Sequence, residues 1–296
     1  MSSAEKKTIL ITGSNTGIGL AVAKQAAIQN QRIILACRNA EKADAACREI
    51  HKSAPNAEVL LRSLDLSSFG SIREFASTIA NDISTLDVLI NNAGVMPRDE
   101  QYTKEGFEMQ FGVNYLGHFL LTHLLLPVFV RARQPRIVHV SSLGHLAGRI
   151  EFGTFRGRKF YLYGIPSYAQ SKLANVLFSN ELARRLPRTF TSNAVHPGFV
   201  DSDFFRGMPP SIYKIWRKVL VSPDQCGEFI TGMAISESWE GVTGQFVSAQ
   251  GPLPISRKAL DVELGLKLYE ESCRLAGVAP VDPARFEGKP SKREYV

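Results

Sequence analysis

The 296 residues contain only four cysteines, Cys37, Cys47, Cys226 and Cys273, and no two of them share a Cys-x-x-Cys or other metal-ligand spacing. A disulfide framework and a zinc site are therefore not expected, and the thiols read as reduced and mostly buried, as in a cytosol-like compartment. Long apolar runs are lacking too. The most hydrophobic stretch, residues 119–130, is interrupted by Thr122, His123 and Pro127 and is too short to span a bilayer. Residues 1–7 are short and polar, so no secretory leader is expected ahead of the first strand, and a cytoplasmic location follows as the expectation. Repeats, low-complexity segments and a Pro/Gly/Ser-rich linker are missing, which excludes a solenoid and argues for one α/β domain. What remains is 44% hydrophobic residues, enough for a substantial core, and a net charge of +7 from dispersed cations. The densest basic sets are Arg149, Arg156, Arg158 and Lys159, then Lys289, Lys292 and Arg293. That dispersion favours a solvated surface and a small anionic ligand over nucleic acid.

Near the N-terminus the sequence reads Thr8-Ile9-Leu10-Ile11-Thr12-Gly13-Ser14-Asn15-Thr16-Gly17-Ile18-Gly19-Leu20. A β-rich run feeds a glycine loop, then a helical pattern over 21–29 and a second apolar run over 32–36. Strand-turn-helix-strand units of this kind bind dinucleotides. Gly13 permits the tight turn, Gly17 lets the backbone approach a pyrophosphate, and Gly19 lets helix pack on strand. The free amides at the helix start suit phosphates. Farther on, Tyr168 and Lys172 stand four residues apart in Ser167-Tyr168-Ala169-Gln170-Ser171-Lys172, on one face of an expected helix. A phenol with its ordinary pKa of about 10 is a poor acid or base at neutral pH. A fixed cation beside it favours phenolate and suits proton exchange with an alcohol or carbonyl oxygen.

In order along the chain stand Thr12-Gly13-x-x-x-Gly17-Ile18-Gly19, Asp65-Leu66, Asn91-Asn92-Ala93-Gly94, Asn114, Ser141-Ser142, Tyr168-x-x-x-Lys172 and Pro197-Gly198. Together they resemble the short-chain dehydrogenase/reductase family over residues 7–250. Finer features, among them Leu35-Ala36-Cys37-Arg38, Asn114-Tyr115-Leu116-Gly117-His118-Phe119 and Val195-His196-Pro197-Gly198, resemble its retinol-dehydrogenase-like branch. The resemblance implies a single-domain Rossmann fold, a doubly wound parallel sheet with helices on both faces. Residues 7–200 would form the cofactor-binding and catalytic core.

It also implies direct hydride transfer between a nicotinamide cofactor and a substrate carbon. Tyr168 would act as the acid-base group and Lys172 would lower its pKa and bind the nicotinamide ribose. Ser142 would hold the substrate oxygen, with Ser141 as the alternative. Asn114 would belong to a water-bridged proton route, or else make a helix-helix hydrogen bond. On the cofactor side the resemblance assigns Gly13, Ser14, Asn15, Thr16, Gly17, Ile18 and Gly19 to the glycine loop and Asp65 and Leu66 to the adenine edge. Asn91, Ala93, Gly94, Tyr168, Lys172, Pro197 and Gly198 would lie along the rest of the cofactor. Asp65 could instead cap the helix starting near Ser67 or Ser68, and Asn91 could be wholly structural. At the end of the second strand, where NAD-preferring folds place a carboxylate, this chain has Cys37 and then Arg38. A guanidinium suits a 2′-phosphate, so NADP(H) is favoured; the alternative is an ordinary surface cation.

Between Ser142 and Tyr168 lie 25 residues, roughly twice the family gap, including Phe152, Phe155, Phe160, Tyr161 and Tyr163. They read as a capping loop with an apolar underside. Residues 201–221 correspond to the variable substrate lid of relatives. There Phe204, Phe205, Tyr213 and Trp216 imply a lipophilic carbonyl or alcohol substrate, and Trp216 with Lys214, Arg217 and Lys218 offers a membrane-surface contact. The amphipathic final helix, 257–276, is expected to pack on the sheet or on the partner subunit of a homodimer. The polar tail, 280–296, is expected to be loosely ordered. His139, His145 and His196 match no metal motif, and Ser142 lacks the Gly-x-Ser-x-Gly elbow of a hydrolase. Two function classes remain: an NADP(H)-dependent alcohol dehydrogenase or carbonyl reductase, and a cofactor-binding, redox-sensing scaffold with little turnover. The complete set Asn114, Ser142, Tyr168 and Lys172 favours the enzyme.

Overall fold

The apolar runs between helical patterns align, in the computed structural model, as one parallel sheet of seven strands. The structure describes residues 6–198, 222–282 and 286, so the expected lid at 201–221, with Trp216, lies outside the described residues. The strands are β1 (Thr8–Thr12), β2 (Arg32–Cys37), β3 (Glu58–Ser63), β4 (Val88–Asn91), β5 (Arg136–Val140), β6 (Thr191–His196) and β7 (Phe246–Ser248). Their order is β3-β2-β1-β4-β5-β6-β7. Each crossover is a helix or contains one, as parallel pairing requires, and the sheet is covered on both faces as expected from the sequence.

Alternate strand residues separate the two layers. Ile9, Ile11, Ile33, Leu35, Val88 and Ile90 face α1 (Gly17–Ile28), α2 (Ala40–Ser53) and α6 (Pro223–Ile235). Leu10, Ile34, Leu89 and Ile137 face α3 (Phe69–Asp82), α4 (Gly117–Phe129) and α5 (Ile165–Arg185), with α7 (Val262–Ala276) outside them on the same side. From β1 the chain first builds outward through β2 and β3, then returns to place β4 on the opposite side of β1. That reversal opens a crevice outside the carboxyl ends of β1 and β4, where open α/β sheets take their ligands.

Three local features depart from the sequence reading. The helical segment that carries Asn114 begins with a π-helical turn, Phe111–Leu116, that runs directly into α4. Together they make a 19-residue segment, Phe111–Phe129, long and apolar enough to cross a membrane; it is 83% buried within the fold and serves as a core helix. The final helix is split, because Asp261 accepts a hydrogen bond from Leu264 N (3.0 Å) and caps α7 after a 3-10 turn at Arg257–Leu260. Instead of lying on the sheet, α7 covers α4 and α5, tied through Tyr115 Oη and Ser272 Oγ (2.7 Å) and through His123 Nε2 and Tyr269 Oη (2.8 Å). The first part of the expected loose tail is docked as well. Val281 N donates to Tyr269 Oη (2.9 Å), and the Phe286 ring meets Phe190 edge-on at 5.4 Å.

The approach of α1 to α6 depends on Gly227, where an added Cβ would lie 2.7 Å from the Ala21 backbone carbon. Gly232, in the same helix, has nothing within 4 Å of that position. Gly227→Val is therefore expected to destabilise by about 1–3 kcal/mol, the scale of overpacking, whereas Gly232→Ala stabilises by about 0.5–1 kcal/mol through helix propensity. Urea midpoints read both effects; equal losses for the two variants would contradict this packing.

Candidate active site

The glycine loop leaves β1 at Gly13, whose φ of 63° is left-handed and whose amide donates to Ala36 O (2.8 Å). A Cβ on Gly13 would approach Ala93 Cα to 2.9 Å, and one on Gly19 would overlap the Gly13 carbonyl oxygen. Gly17 differs: its φ is 55°, and its Cβ position meets nothing within 4 Å, so backbone is open to a ligand there. Thr16 precedes α1 without a side-chain cap bond, and the first turn of α1 has no acid. The amides and partial positive charge of that helix start remain available to an anion. Ser14 is buried, Asn15 and Ile18 are half-buried, and Thr16 is exposed. Arg38 is exposed just past β2, forms no ion pair among the described residues, and is followed by Asn39, which caps α2 through Lys42 N (2.8 Å). An open backbone, an uncapped helix start and a guanidinium on adjoining strand ends fit an anionic dinucleotide.

Asp65 accepts from Ser67 N (3.0 Å) and Ser67 Oγ (2.6 Å), whereas Ser68 caps α3. Helix capping, one of the two roles open to Asp65, thus goes to Ser68. Leu66 is buried, its carbonyl oxygen 2.7 Å from where a Cβ on Gly117 would lie.

At the crevice, Thr12 Oγ1 accepts from Asn92 N (2.9 Å) and Ala93 N (3.0 Å), and Asn92 Nδ2 donates to Thr12 O (2.8 Å). These bonds join the carboxyl ends of β1 and β4. Asn91 points the other way. Its Nδ2 donates to Thr122 Oγ1 (3.1 Å) and lies 3.3 Å from His139 Nδ1, so its side chain belongs to the core. Thr12 and Asn92 were absent from the sequence-derived site; the signal for Asn92 was the period-two alternation, which turns neighbouring strand residues to opposite faces.

One residue past Gly94, Val95 N donates to Asn114 Oδ1 (2.7 Å), and Asn114 Nδ2 returns a bond to Val95 O (3.0 Å). Asn114 Nδ2 also reaches Ser171 Oγ on α5 at 3.2 Å, a helix-helix bond. The space beside Gly94 is shared: a Cβ there would be 3.5 Å from Asn114 Oδ1 and 3.7 Å from Lys172 Nζ. Pro197 and Gly198, both buried, follow β6, and Gly198 takes φ 93°.

Ser141 and Ser142 separate by role. Ser141 Oγ is buried and donates to Lys172 O (2.8 Å), while Ser142 Oγ accepts from Gly144 N (3.1 Å) and acts on the Tyr168 phenol, whose pKa it draws down. Gly144 makes room for that ring, since a Cβ would stand 3.2 Å from Tyr168 Cε1. Leu162 and Tyr163 carry positive φ (46° and 54°) in the turn that starts α5, strain of the sort stored near functional sites. Phe155 from this insertion stacks on Phe111 at 3.9 Å, and Tyr161 Oη accepts from Gln110 Nε2 at 3.1 Å. Phe160 and Tyr163, by contrast, are exposed, so only part of the insertion has the expected apolar underside.

Lys172 is buried, and its Nζ donates to Val140 O at 3.0 Å. Burial pulls its pKa down to about 8. Burial pushes the Tyr168 phenol up, and Ser142 acts the other way. The Lys172 ammonium stands 5.5 Å from the centroid of the Tyr168 ring, with one of its three N–H donors on Val140 O. Among the described residues no group of three or more His, Cys, Asp or Glu side chains is placed to hold a metal ion.

A lysine whose folded pKa is depressed to about 8 from 10.5 weakens the fold most below pH 8, and the penalty fades as pH rises through 10.5. Lys172→Met is therefore expected to stabilise by up to about 3 kcal/mol at pH 7, less the lost bond to Val140. Its advantage over the native chain should shrink toward pH 10 in paired denaturant titrations. An advantage that is constant with pH would contradict the buried charge.

A family model for short chain dehydrogenases matches residues 7–211, a range that includes the glycine loop, Asn114, Ser142, Tyr168 and Lys172. Human retinol dehydrogenase 11 is 43% identical over 93% of this chain and 87% of its own length. Human retinol dehydrogenase 13 is 41% identical over 92% of this chain and 85% of its own. The solved structure of a Mycobacterium paratuberculosis protein is similar with a TM-score of 0.73 at 33% identity, covering 92% of this chain and 94% of that one. A Shigella flexneri short chain dehydrogenase complexed with NADP shares the fold, with a TM-score of 0.66 at 24% identity over 82% and 97% of the two chains. Motif order, sheet topology and whole-length similarity agree: the chain belongs to the short-chain dehydrogenase family of oxidoreductases, in its retinol-dehydrogenase-like branch.

Proposed function

We propose that the protein is an NADP(H)-dependent oxidoreductase that interconverts a lipophilic aldehyde or ketone, retinoids included, with its alcohol. The observation that carries this reading is the cluster of Ser142, Tyr168 and Lys172 beside Gly94 and Asn114, at the carboxyl ends of β4 and β5. A nicotinamide, when bound, supplies or accepts the hydride. Tyr168 exchanges a proton with the substrate oxygen, and Ser142, beside the phenol, orients that oxygen. Lys172, with its pKa near 8, gains and loses a proton more readily at neutral pH than an ordinary lysine. Residues 13–19 would hold the diphosphate and Arg38 the 2′-phosphate, with Asp65 and Leu66 at the adenine. Asn91, through its backbone, and Ala93, Gly94, Pro197 and Gly198 would line the remainder. The retinol dehydrogenases among the relatives support a lipophilic substrate, and so do the lid residues Phe204, Phe205, Tyr213 and Trp216.

An apolar pocket gains up to about 0.8 kcal/mol per buried methylene. Values of kcat/KM are expected to climb from hexanal to decanal and to exceed that for glyceraldehyde, with Tyr168→Phe at least two orders of magnitude slower throughout. A flat chain-length profile or a preference for glyceraldehyde would remove the lipophilic reading, and a fully active Tyr168→Phe the acid-base reading.

Cofactor choice has its own test. Arg38→Ala is expected to weaken NADPH binding by about tenfold or more, the scale of a charged hydrogen bond, and to leave NADH nearly unchanged. Parallel losses for both coenzymes would make Arg38 a structural residue.

A further inference from the structure

His118 stands on the first turn of α4, almost completely buried, between two parts of the site. Its Nδ1 is 3.1 Å from Asn114 O and its Nε2 2.8 Å from Thr12 Oγ1. A carbonyl oxygen only accepts, so Nδ1 carries the proton and Nε2 must accept. Thr12 can meet that demand. Its oxygen already accepts from Asn92 N and Ala93 N, and its hydroxyl proton is directed to the ring, 2.8 Å away, in preference to Ile90 O at 3.4 Å. Burial, and to a lesser extent the Lys172 ammonium, keep the ring neutral, with its pKa down to about 4, so this tautomer persists across the physiological range.

The ring thus spans from the π-helical turn to the hydroxyl that joins β1 with β4. Through Thr12 it reaches the amides of Asn92 and Ala93; through Asn114, whose side chain grips both polar backbone atoms of Val95, it reaches the far end of the same segment. Between these anchors lies Gly94, the residue that faces Lys172 Nζ. His123 provides an internal comparison. It makes the same backbone bond, to Phe119 O at 2.8 Å, but its Nε2 ends on Tyr269 Oη in the core. The bond back to a helix carbonyl is ordinary; the link to Thr12 is what ties His118 to the site.

We propose that His118, as the neutral Nδ1–H tautomer, is a positioning residue that holds Asn114 and the 92–95 backbone in register with Lys172, and so governs proton handling in turnover with little influence on coenzyme affinity. Its kinetic consequence rests on the oxidoreductase reading above. Three variants divide the ring's two bonds. His118→Phe removes both, His118→Asn keeps a donor for Asn114 O, and His118→Gln keeps a partner for Thr12. With decanal and NADPH, His118→Phe is expected to lose at least tenfold in kcat and to raise the solvent deuterium isotope effect, with the Kd for NADPH within about twofold of native. His118→Gln should recover a substantial part of kcat and His118→Asn should not. Unchanged kcat in His118→Phe, a parallel loss of NADPH binding, or recovery by Asn alone would each overturn the proposal. Imidazole 15N spectra of the native protein decide the tautomer without any variant: Nδ1–H is expected at pH 7, and an Nε2–H or charged ring refutes it even if His118→Phe does not fold. A native protein that turns over no carbonyl or alcohol removes the oxidoreductase reading and the kinetic role with it, while the spectrum still decides whether the strut exists.

Discussion

A lysine ammonium enclosed by protein is the constraint on which the site is organised. Lys172 is 4% exposed and donates to the carbonyl of Val140, the last residue of β5. Removing such a charge from water costs several kcal/mol unless partners compensate, and burial accordingly draws its pKa toward neutrality. The surroundings of the lysine follow from the need to hold it there. Ser141 fixes the lysine's own backbone, Asn114 crosses from the π-helical turn to α5, and Gly94 keeps the facing space free of a side chain. Stability has to come from elsewhere, and the double-layered sheet supplies it, with apolar strands whose alternate residues feed separate cores.

The cofactor side obeys a different rule, that of open backbone. Gly13 and Gly19 are glycines because neighbouring atoms crowd them, and Gly17 because its conformation is left-handed and its front is empty. One sequence pattern, Gly-x-x-x-Gly-x-Gly, therefore answers two distinct steric demands at three positions. Thr12 adds a fourth element at the same place, since its hydroxyl closes β1 onto β4 and leaves the crevice between them with a fixed floor.

Much of this was legible in the sequence wherever the cause is local. The glycine loop, the Tyr168–Lys172 helical face and the alternation of apolar runs with helices each depend on spacing over a few residues, and the fold follows from them. Orientation at strand ends was harder to read. Asn91 and Asn92 differ by one position and therefore by a whole sheet face, and only the observed strand end at Asn91 turns the first inward and the second toward Thr12. Asp65 and Ser68 compete for one helix start, and Ser68 takes it because α3 begins at Phe69, while Asp65 turns to Ser67. Least legible were the long-range bonds. Thr12 and His118 are 106 residues apart, and nothing in the local pattern of either residue announces the other. The π-helical turn is similarly a product of tertiary packing, with Phe111 stacked on Phe155 from a separate segment.

Hydride transfer between coenzyme and a lipophilic carbon is the central claim, and isotopic labelling tests it most directly. The protein is given NADPH carrying deuterium at the transferable position of nicotinamide C4, together with a long-chain aldehyde, and the alcohol is examined by mass spectrometry and NMR. The expected product carries a single deuterium on the former carbonyl carbon, and the same reaction with unlabelled NADPH in D2O leaves that carbon unlabelled. An alcohol lacking the coenzyme's deuterium, or one labelled at carbon from solvent, would contradict direct transfer at this site.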